Sequence, residues 1–281
     1  MISRFAPSPT GHLHLGHAWS AILAHDLARA SGGQFLVRIE DIDTARCRPR
    51  FVAAIVDDLH WLGLDFPTPM LQSTRRAAHD SALATLAAAG LTYPCFCSRA
   101  DIAAAASAPH APSPRYPGTC RALDRAQADA RAATETHAIR LDSAAASMRT
   151  RPLHWTDATA GRVAADPALL GDIVLARRDI GVGYILAAVV DDGFQQVTHI
   201  VRGRDLFEAT HVQRLLQALL GLPTPHYLHH PLLLAADGRR LAKRDAAETL
   251  QALRSAGIDA ASLAANLRGH TAFGRDFSVR A

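Results

Sequence analysis

The chain has 281 residues, enough to bury a sizeable core, and reads as one catalytic domain with an insertion and a short appendage. Lys and Arg number 30 against 26 Asp and Glu, a net charge of +4 that is compatible with a nucleic-acid partner but decides nothing alone; 15 histidines could add charge below neutrality. No apolar run is long enough to span a bilayer and no secretory leader precedes the first strand, while four cysteines, three of them clustered, point to a reducing, cytoplasmic setting and a metal site rather than a disulfide framework.

Ser3-Arg4-Phe5-Ala6 is predicted as a short strand, ended by Pro7 and Pro9, which cannot donate to a ladder. Gly11 permits a sharp turn. From Leu15 the apolar residues Trp19, Ile22, Leu23, Leu27 and Ala30 recur at helical spacing until Gly32-Gly33 stops them. A second strand, 35–39, ends on Glu40, Asp41 and Asp43. This is a βαβ unit with its polar residues at the strand ends and the helix start, where open α/β sheets bind ligands. His12, His14 and His17 crowd the helix N-terminus, whose N–H groups and dipole favour an anion. The turn carries neither G-x-G-x-x-G nor a Walker lysine, so neither a dinucleotide fold nor a P-loop ATPase is indicated.

Phe51, Ile55, Leu59 and Leu62 mark the next helix, and a further one is predicted over 75–89; both cover the sheet, with His60, Trp61 and His79 as surface or packing residues. Cys95-Phe96-Cys97 opens an Ala/Pro-rich loop that Tyr116-Pro117-Gly118-Thr119-Cys120 closes. Three thiolates around one zinc would anchor such a loop, and a fourth ligand is then required, for which His110 is the usual kind of candidate. Cys47 stands apart. A polar helix is predicted over 122–133, and strands at HAIRLD and around Leu153-His154-Trp155. The apolar run 185–190 reads as a parallel strand buried on both faces, begun by Tyr184. A strand over 197–201 leads to the amphipathic helix 210–220, placing Arg202 and Asp205 on the ligand side of the sheet. His226, His229 and His230 read as incidental, because adjacent histidines cannot share a helix face. Asp237-Gly238 marks a turn before the basic stretch Arg239-Arg240-Leu241-Ala242-Lys243-Arg244, and 246–267 is predicted helical.

RFAPSPTGHLHLGH followed by RIEDID resembles the signature of the class I glutamyl-type aminoacyl-tRNA synthetases, with His14-Leu15-Gly16-His17 where that class carries HIGH. The resemblance implies that His14, Gly16 and His17 bind ATP. It places the glutamate substrate on Arg4, Phe5, Ala6, Pro7 and Ser8, with Glu40 taking the ammonium group and Tyr184 and Arg202 completing the pocket. Arg204 is the alternative to Arg202. RLAKR is similar to the second class signature, KMSKS, and puts Lys243 at the ATP phosphates, although Arg240 and Ala242 depart from the pattern. The spacing C-x-C then Y-x-x-x-C resembles the shortened glutamyl-queuosine tRNA(Asp) synthetases, which implies Tyr116 rather than His110 as the fourth zinc ligand beside Cys95, Cys97 and Cys120.

The expected fold is therefore α/β: a Rossmann-like parallel sheet of the class I synthetase type, with an inserted zinc-bearing α+β domain and a short helical C-terminal segment. The expected divisions are 1–92 and 184–237 for the two catalytic halves, 93–183 for the insertion, and 238–281 for the KMSKS-like loop and helices without an anticodon-binding domain. The expected reaction is ATP-dependent activation of L-glutamate, with Mg2+ on the ATP, and transfer to the queuosine base in the anticodon stem-loop of tRNA(Asp) by a monomer that binds no membrane. A minimal glutamyl-tRNA synthetase acting on the 3′ end of tRNA(Glu) and a non-catalytic RNA-binding paralogue are the rivals.

Overall fold

A computed structural model of the chain describes residues 1–98, 100–102, 116–233 and 249–269. The expectations placed on His110, Arg240, Ala242 and Lys243 lie outside the described residues.

The expected βαβ unit is present. Strand β1 (Ile2–Phe5) leads through the Pro7–Pro9 turn to helix α1 (Leu15–Ala30) and back to strand β2 (Gln34–Ile39), parallel to β1 from Ile2 opposite Gln34 to Phe5 opposite Val37. Gly32, at φ 63°, reverses the chain in the left-handed conformation that favours glycine. Helix α2 (Pro49–Trp61), which starts on a proline as helices tolerate, the two-residue edge strand β3 (Met70–Leu71) and helix α3 (Arg76–Ala88) follow.

The chain then builds a separate antiparallel sheet from β4 (Thr92–Cys95), β5 (Ala138–Leu141), β8 (Val174–Arg177) and β9 (Gly181–Val182), in that order. Helices α4 (Arg125–Thr134) and α5 (Ser143–Met148) flank it. Between β5 and β8 runs a hairpin of β6 (His154–Asp157) and β7 (Gly161–Ala164), and this hairpin belongs to the large sheet rather than the small one. The segment expected as one insertion, 93–183, thus sends two strands into the catalytic sheet.

Helix α6 (Tyr184–Phe194) follows, correcting the strand expected over 185–190. Leu186, Ala187, Ala188, Val189, Asp191 and Asp192 are all buried, so the helix is covered nearly all round and shows the continuous apolar run of a doubly buried strand; periodicity does not separate the two. Strand β10 (His199–Gly203), helix α7 (Ala209–Leu219) and strand β11 (His226–His230) complete the large sheet, ordered β3-β2-β1-β10-β11-β6-β7 and parallel except for the closing hairpin. The helix expected over 246–267 is, within the described residues, two helices, α8 (Leu250–Ser255) and α9 (Ala260–Gly269), separated at Gly257, whose φ of 75° ends the first. Thr249 caps α8 by accepting from the Ala252 amide, and Leu250 donates to the Leu13 carbonyl, which ties this segment to the turn before α1.

Trp19, Ile22, Phe35, Val37, Ile39, Ile55 and Leu59 form the core between α1, α2 and the sheet. A second cluster, with Leu141, Leu175, Leu186, Val189, Val212, Leu215 and Leu216, joins the small sheet to α6 and α7. Both cores leave the C-terminal ends of β1, β2, β10 and β11 open on one edge.

Candidate active site

A cleft of about 460 Å³ lies over those strand ends. Of the residues singled out in the sequence, Arg4, Phe5, Ala6, Pro7, Ser8, His14, Gly16, His17, Glu40, Tyr184 and Arg202 all line it. Ser20, Arg46, Asp205, His230, Leu232 and Leu233 line it as well. Arg204 is exposed and stacks its guanidinium on Phe207 outside the cleft, so the strand presents Arg202.

The helix start is built by its own histidines. His14 caps α1: its Nδ1 accepts from the Gly16 amide at 3.1 Å, while its own amide donates to Nδ1 of His17 at 3.2 Å. The two rings stack with centroids 3.7 Å apart. Because both Nδ1 atoms accept, the ring protons lie on Nε2. Gly16 permits the fold-over, since a Cβ there would lie 3.0 Å from the His14 ring. Ser20, one turn further on, is 2.6 Å from Nε2 of His230.

Beneath Arg4 and Glu40 is a buried charge network. Asp192 of α6 accepts from Nε of Arg4 at 3.1 Å and from Nη1 of Arg38 at 2.7 Å, and Arg38 reaches Glu40 at 3.3 Å. Arg38 is fully buried and the other three are nearly so. Burial would raise the Asp192 carboxyl, but Arg38 and Arg4 more than reverse it and hold the group below the usual range. Glu40 behaves differently: burial pushes it up to about 7, only partly opposed by Arg38 and Arg4. A second network, between α6 and the start of α3, joins Asp191 to His79 at 3.0 Å, to Gln72 at 2.9 Å and to Arg75 at 3.2 Å. His79 is thus a buried partner of a carboxylate.

Arg202 is held by a third set. Nε donates to Nε2 of His229 at 3.0 Å, and Nη2 donates to Thr210 at 2.6 Å, Gln213 at 2.8 Å and the Leu206 carbonyl at 3.2 Å. Nη1 is buried and has no hydrogen-bond partner among the described residues. His229, expected to be incidental, in turn meets Asp157 of β6 through Nδ1 at 2.8 Å. These histidines lie on a strand and not on a helix; successive residues there point to opposite faces, and His230 faces the cleft while His229 faces this network.

Away from the cleft, Cys95, Cys97 and Cys120 bring their sulfur atoms within 4.8 Å of one another, with Cys97 and Cys120 3.5 Å apart. The Tyr116 oxygen is 3.6 Å from the Cys97 sulfur and accepts from the Cys120 amide at 2.7 Å. Tetrahedral thiolates about 2.3 Å from zinc stand roughly 3.8 Å apart, so this donor set fits a zinc ion. Burial pushes the Cys97 thiol up to about 11.

The family of class I tRNA synthetases (E and Q), catalytic domain, matches residues 1–271. The chain is 48% identical over 275 residues to the glutamyl-Q tRNA(Asp) synthetase of Rhodobacter capsulatus, covering 94% of this chain and 98% of that protein. It is 44% identical over 280 residues to the protein of the same name from Symbiobacterium thermophilum, covering 95% and 85%. Among solved structures, a glutamate tRNA ligase of Elizabethkingia meningosepticum in complex with its amino acid superposes with a TM-score of 0.72 at 26% identity, over 87% of this chain and 52% of that one, so this chain spans about half of that protein.

Proposed function

Because the chain belongs to the class I tRNA synthetases of the glutamyl and glutaminyl (E and Q) family, we propose that it activates L-glutamate with ATP and transfers it to the queuosine base in the anticodon of tRNA(Asp). The observation that carries this reading is the likeness to glutamyl-Q tRNA(Asp) synthetases over nearly their whole length. The cleft supplies chemistry that agrees with it. Glu40 is suited to the substrate ammonium, and Arg4 and Arg202, whose Nη1 has no hydrogen-bond partner among the described residues, to its carboxylates. Attack of a glutamate carboxylate oxygen on the α-phosphorus of ATP forms glutamyl-adenylate and expels pyrophosphate, so negative charge develops on the phosphate oxygens. Nε2–H groups of His14 and His17 are donors of the right kind for that charge, and Lys243, by the family pattern, would approach the same phosphates. Mg2+ carried with ATP would neutralise the phosphates. A hydroxyl of the queuosine cyclopentene diol then takes the glutamyl group, forming an ester and releasing AMP.

Cys95, Cys97, Tyr116 and Cys120 would hold a zinc ion, which when bound ties the end of β4 to the segment 116–120 and takes no part in activation. No helix of the described residues is long and apolar enough to cross a membrane, and a cytoplasmic monomer acting on the tRNA(Asp) anticodon stem-loop is the setting this reading implies.

The test uses labelled glutamate and ATP. Label should attach to queuosine-containing tRNA(Asp) and to its isolated stem-loop, and should be absent from tRNA(Asp) lacking the base and from tRNA(Glu). Removal of the terminal CCA should change nothing; loss of labelling on that trimming would make the 3′ end the acceptor and overturn the reading.

A further inference from the structure

Arg202 on β10 stands opposite His229 on β11, and two residues earlier Tyr227 stands opposite Asp157 on β6, so one face of three neighbouring strands carries arginine, histidine and aspartate in a row. The donors fix the protons. Arg202 Nε–H can only donate, so Nε2 of His229 accepts and the ring proton lies on Nδ1, where it donates to Oδ2 of Asp157. Oδ2 also accepts from the His229 amide, and Oδ1 from the amides of Thr159 and Ala160 and the Thr159 hydroxyl, so the carboxylate is held by the hairpin turn. Protons therefore run one way, from arginine to imidazole to carboxylate. With Nε and Nη2 committed, the guanidinium has one orientation and one nitrogen left over.

We infer that Asp157 and His229 are positioning residues that fix the orientation of Arg202 and so set the cleft's affinity for a substrate carboxylate. The inference rests on the reading that the cleft takes glutamate. A buried histidine of the other tautomer would set Nε2–H against Arg202 Nε–H, two donors face to face, and would turn the guanidinium. The hairpin that supplies Asp157 is otherwise an edge of the sheet, remote from the cleft lining, and its carboxylate acts through the imidazole.

Glutamate-dependent exchange of pyrophosphate into ATP tests this without RNA. D157N is isosteric, but the Oδ1 side faces three donors and forces the amide nitrogen toward His229, which reverses the tautomer. H229N keeps a donor for Asp157 and loses the acceptor for Arg202; H229Q can place an acceptor where Nε2 stood. The loss of a buried hydrogen bond to a charged group corresponds to roughly ten- to a hundredfold. D157N and H229N should therefore raise the KM for glutamate about ten- to a hundredfold while the KM for ATP moves less than about twofold, and H229Q should recover most of the loss. A structural role alone would lower the active fraction, hence kcat, with both KM values intact, and that result overturns the inference. Wild-type protein without exchange would instead defeat the glutamate reading. A neutron structure of the wild-type protein decides the relay independently of any variant: deuterium on Nδ1 of His229 and none on Nε2 is expected, and deuterium on Nε2 overturns it.

Discussion

Replacing Asp192 by Asn should destabilise the protein by about 3 to 5 kcal/mol, the cost of removing one partner from a buried ion pair. Arg4 and Arg38 are balanced by Asp192 and Glu40, two charges of each sign, and all four are buried. D192N leaves two guanidiniums against one carboxylate, and its amide nitrogen must face a guanidinium with a second donor. Some relief follows, because Asp192 is a like charge that raises Glu40; without it Glu40 ionises more readily, which puts the expected loss near the lower end of the range. Folded domains hold about 5 to 15 kcal/mol in reserve, so the variant should still fold and can be measured by urea unfolding at pH 7.5. The decisive comparison is a double-mutant cycle with R38M, which removes the surplus guanidinium and leaves Arg4 facing Glu40. The double variant should be more stable than the sum of the singles by at least about 1 kcal/mol. Additive losses, or a D192N variant within about 1 kcal/mol of wild type, would refute the claim that the four charges act as one buried unit.

The same network sets a pH dependence. Glu40 sits at about 7 and must be ionised to hold an ammonium, so glutamate affinity measured by calorimetry should rise about fivefold from pH 6 to 7 and less than about twofold from 7 to 8, with the slope abolished in E40Q. Since its folded value lies above the unfolded one, Glu40 also contributes stability that is complete below about pH 4.5 and lost as pH rises through 7; a flat affinity profile would show that Glu40 does not meet the ammonium. Metal analysis should find about one zinc per chain in the wild type, none in C95S or C120S, weakened retention in Y116F and full retention in H110A. The reverse order for the last two variants would make His110 the fourth ligand.

What could be read from the sequence was whatever a local pattern decides. The first βαβ unit is legible because Pro7, Pro9 and Gly32 punctuate it and α1 buries one face; the amphipathic α7 is legible for the same reason. Helix α6 is not legible as a helix because burial on almost every side erases the period that tells a helix from a strand. Cys95, Cys97 and Cys120 could be grouped from spacing within 26 residues of chain, whereas Tyr116 joined them only through the family resemblance. His229 and Asp157 could not be grouped, since they are 72 residues apart and meet only because β6 leaves the small sheet to pair with β11. Arg38 gave one available signal, an arginine inside the apolar strand FLVRI, where a charge is tolerated only beside a buried acid.

The charges around the cleft distinguish its arginines. Burying a guanidinium costs several kcal/mol, which a contacting carboxylate offsets. Arg38 and Arg4 have such partners in Asp192 and Glu40. Among the described residues Arg202 has only neutral acceptors in direct contact, an imidazole, a hydroxyl, an amide and a carbonyl, with Asp157 one ring further away. At the lining itself Arg4, Arg46 and Arg202 stand against Glu40 and Asp205, three positive charges against two negative, while Arg38 and Asp192 cancel behind them. The wall is therefore left with one positive charge when Glu40 is ionised. A glutamate zwitterion brings one ammonium and two carboxylates, a net charge of minus one, and neutralises it. Glutamine is net neutral and would leave Arg202 buried, charged and short of an anionic partner, so this cleft guanidinium, whose direct acceptors among the described residues are all neutral, is expected to favour glutamate over glutamine.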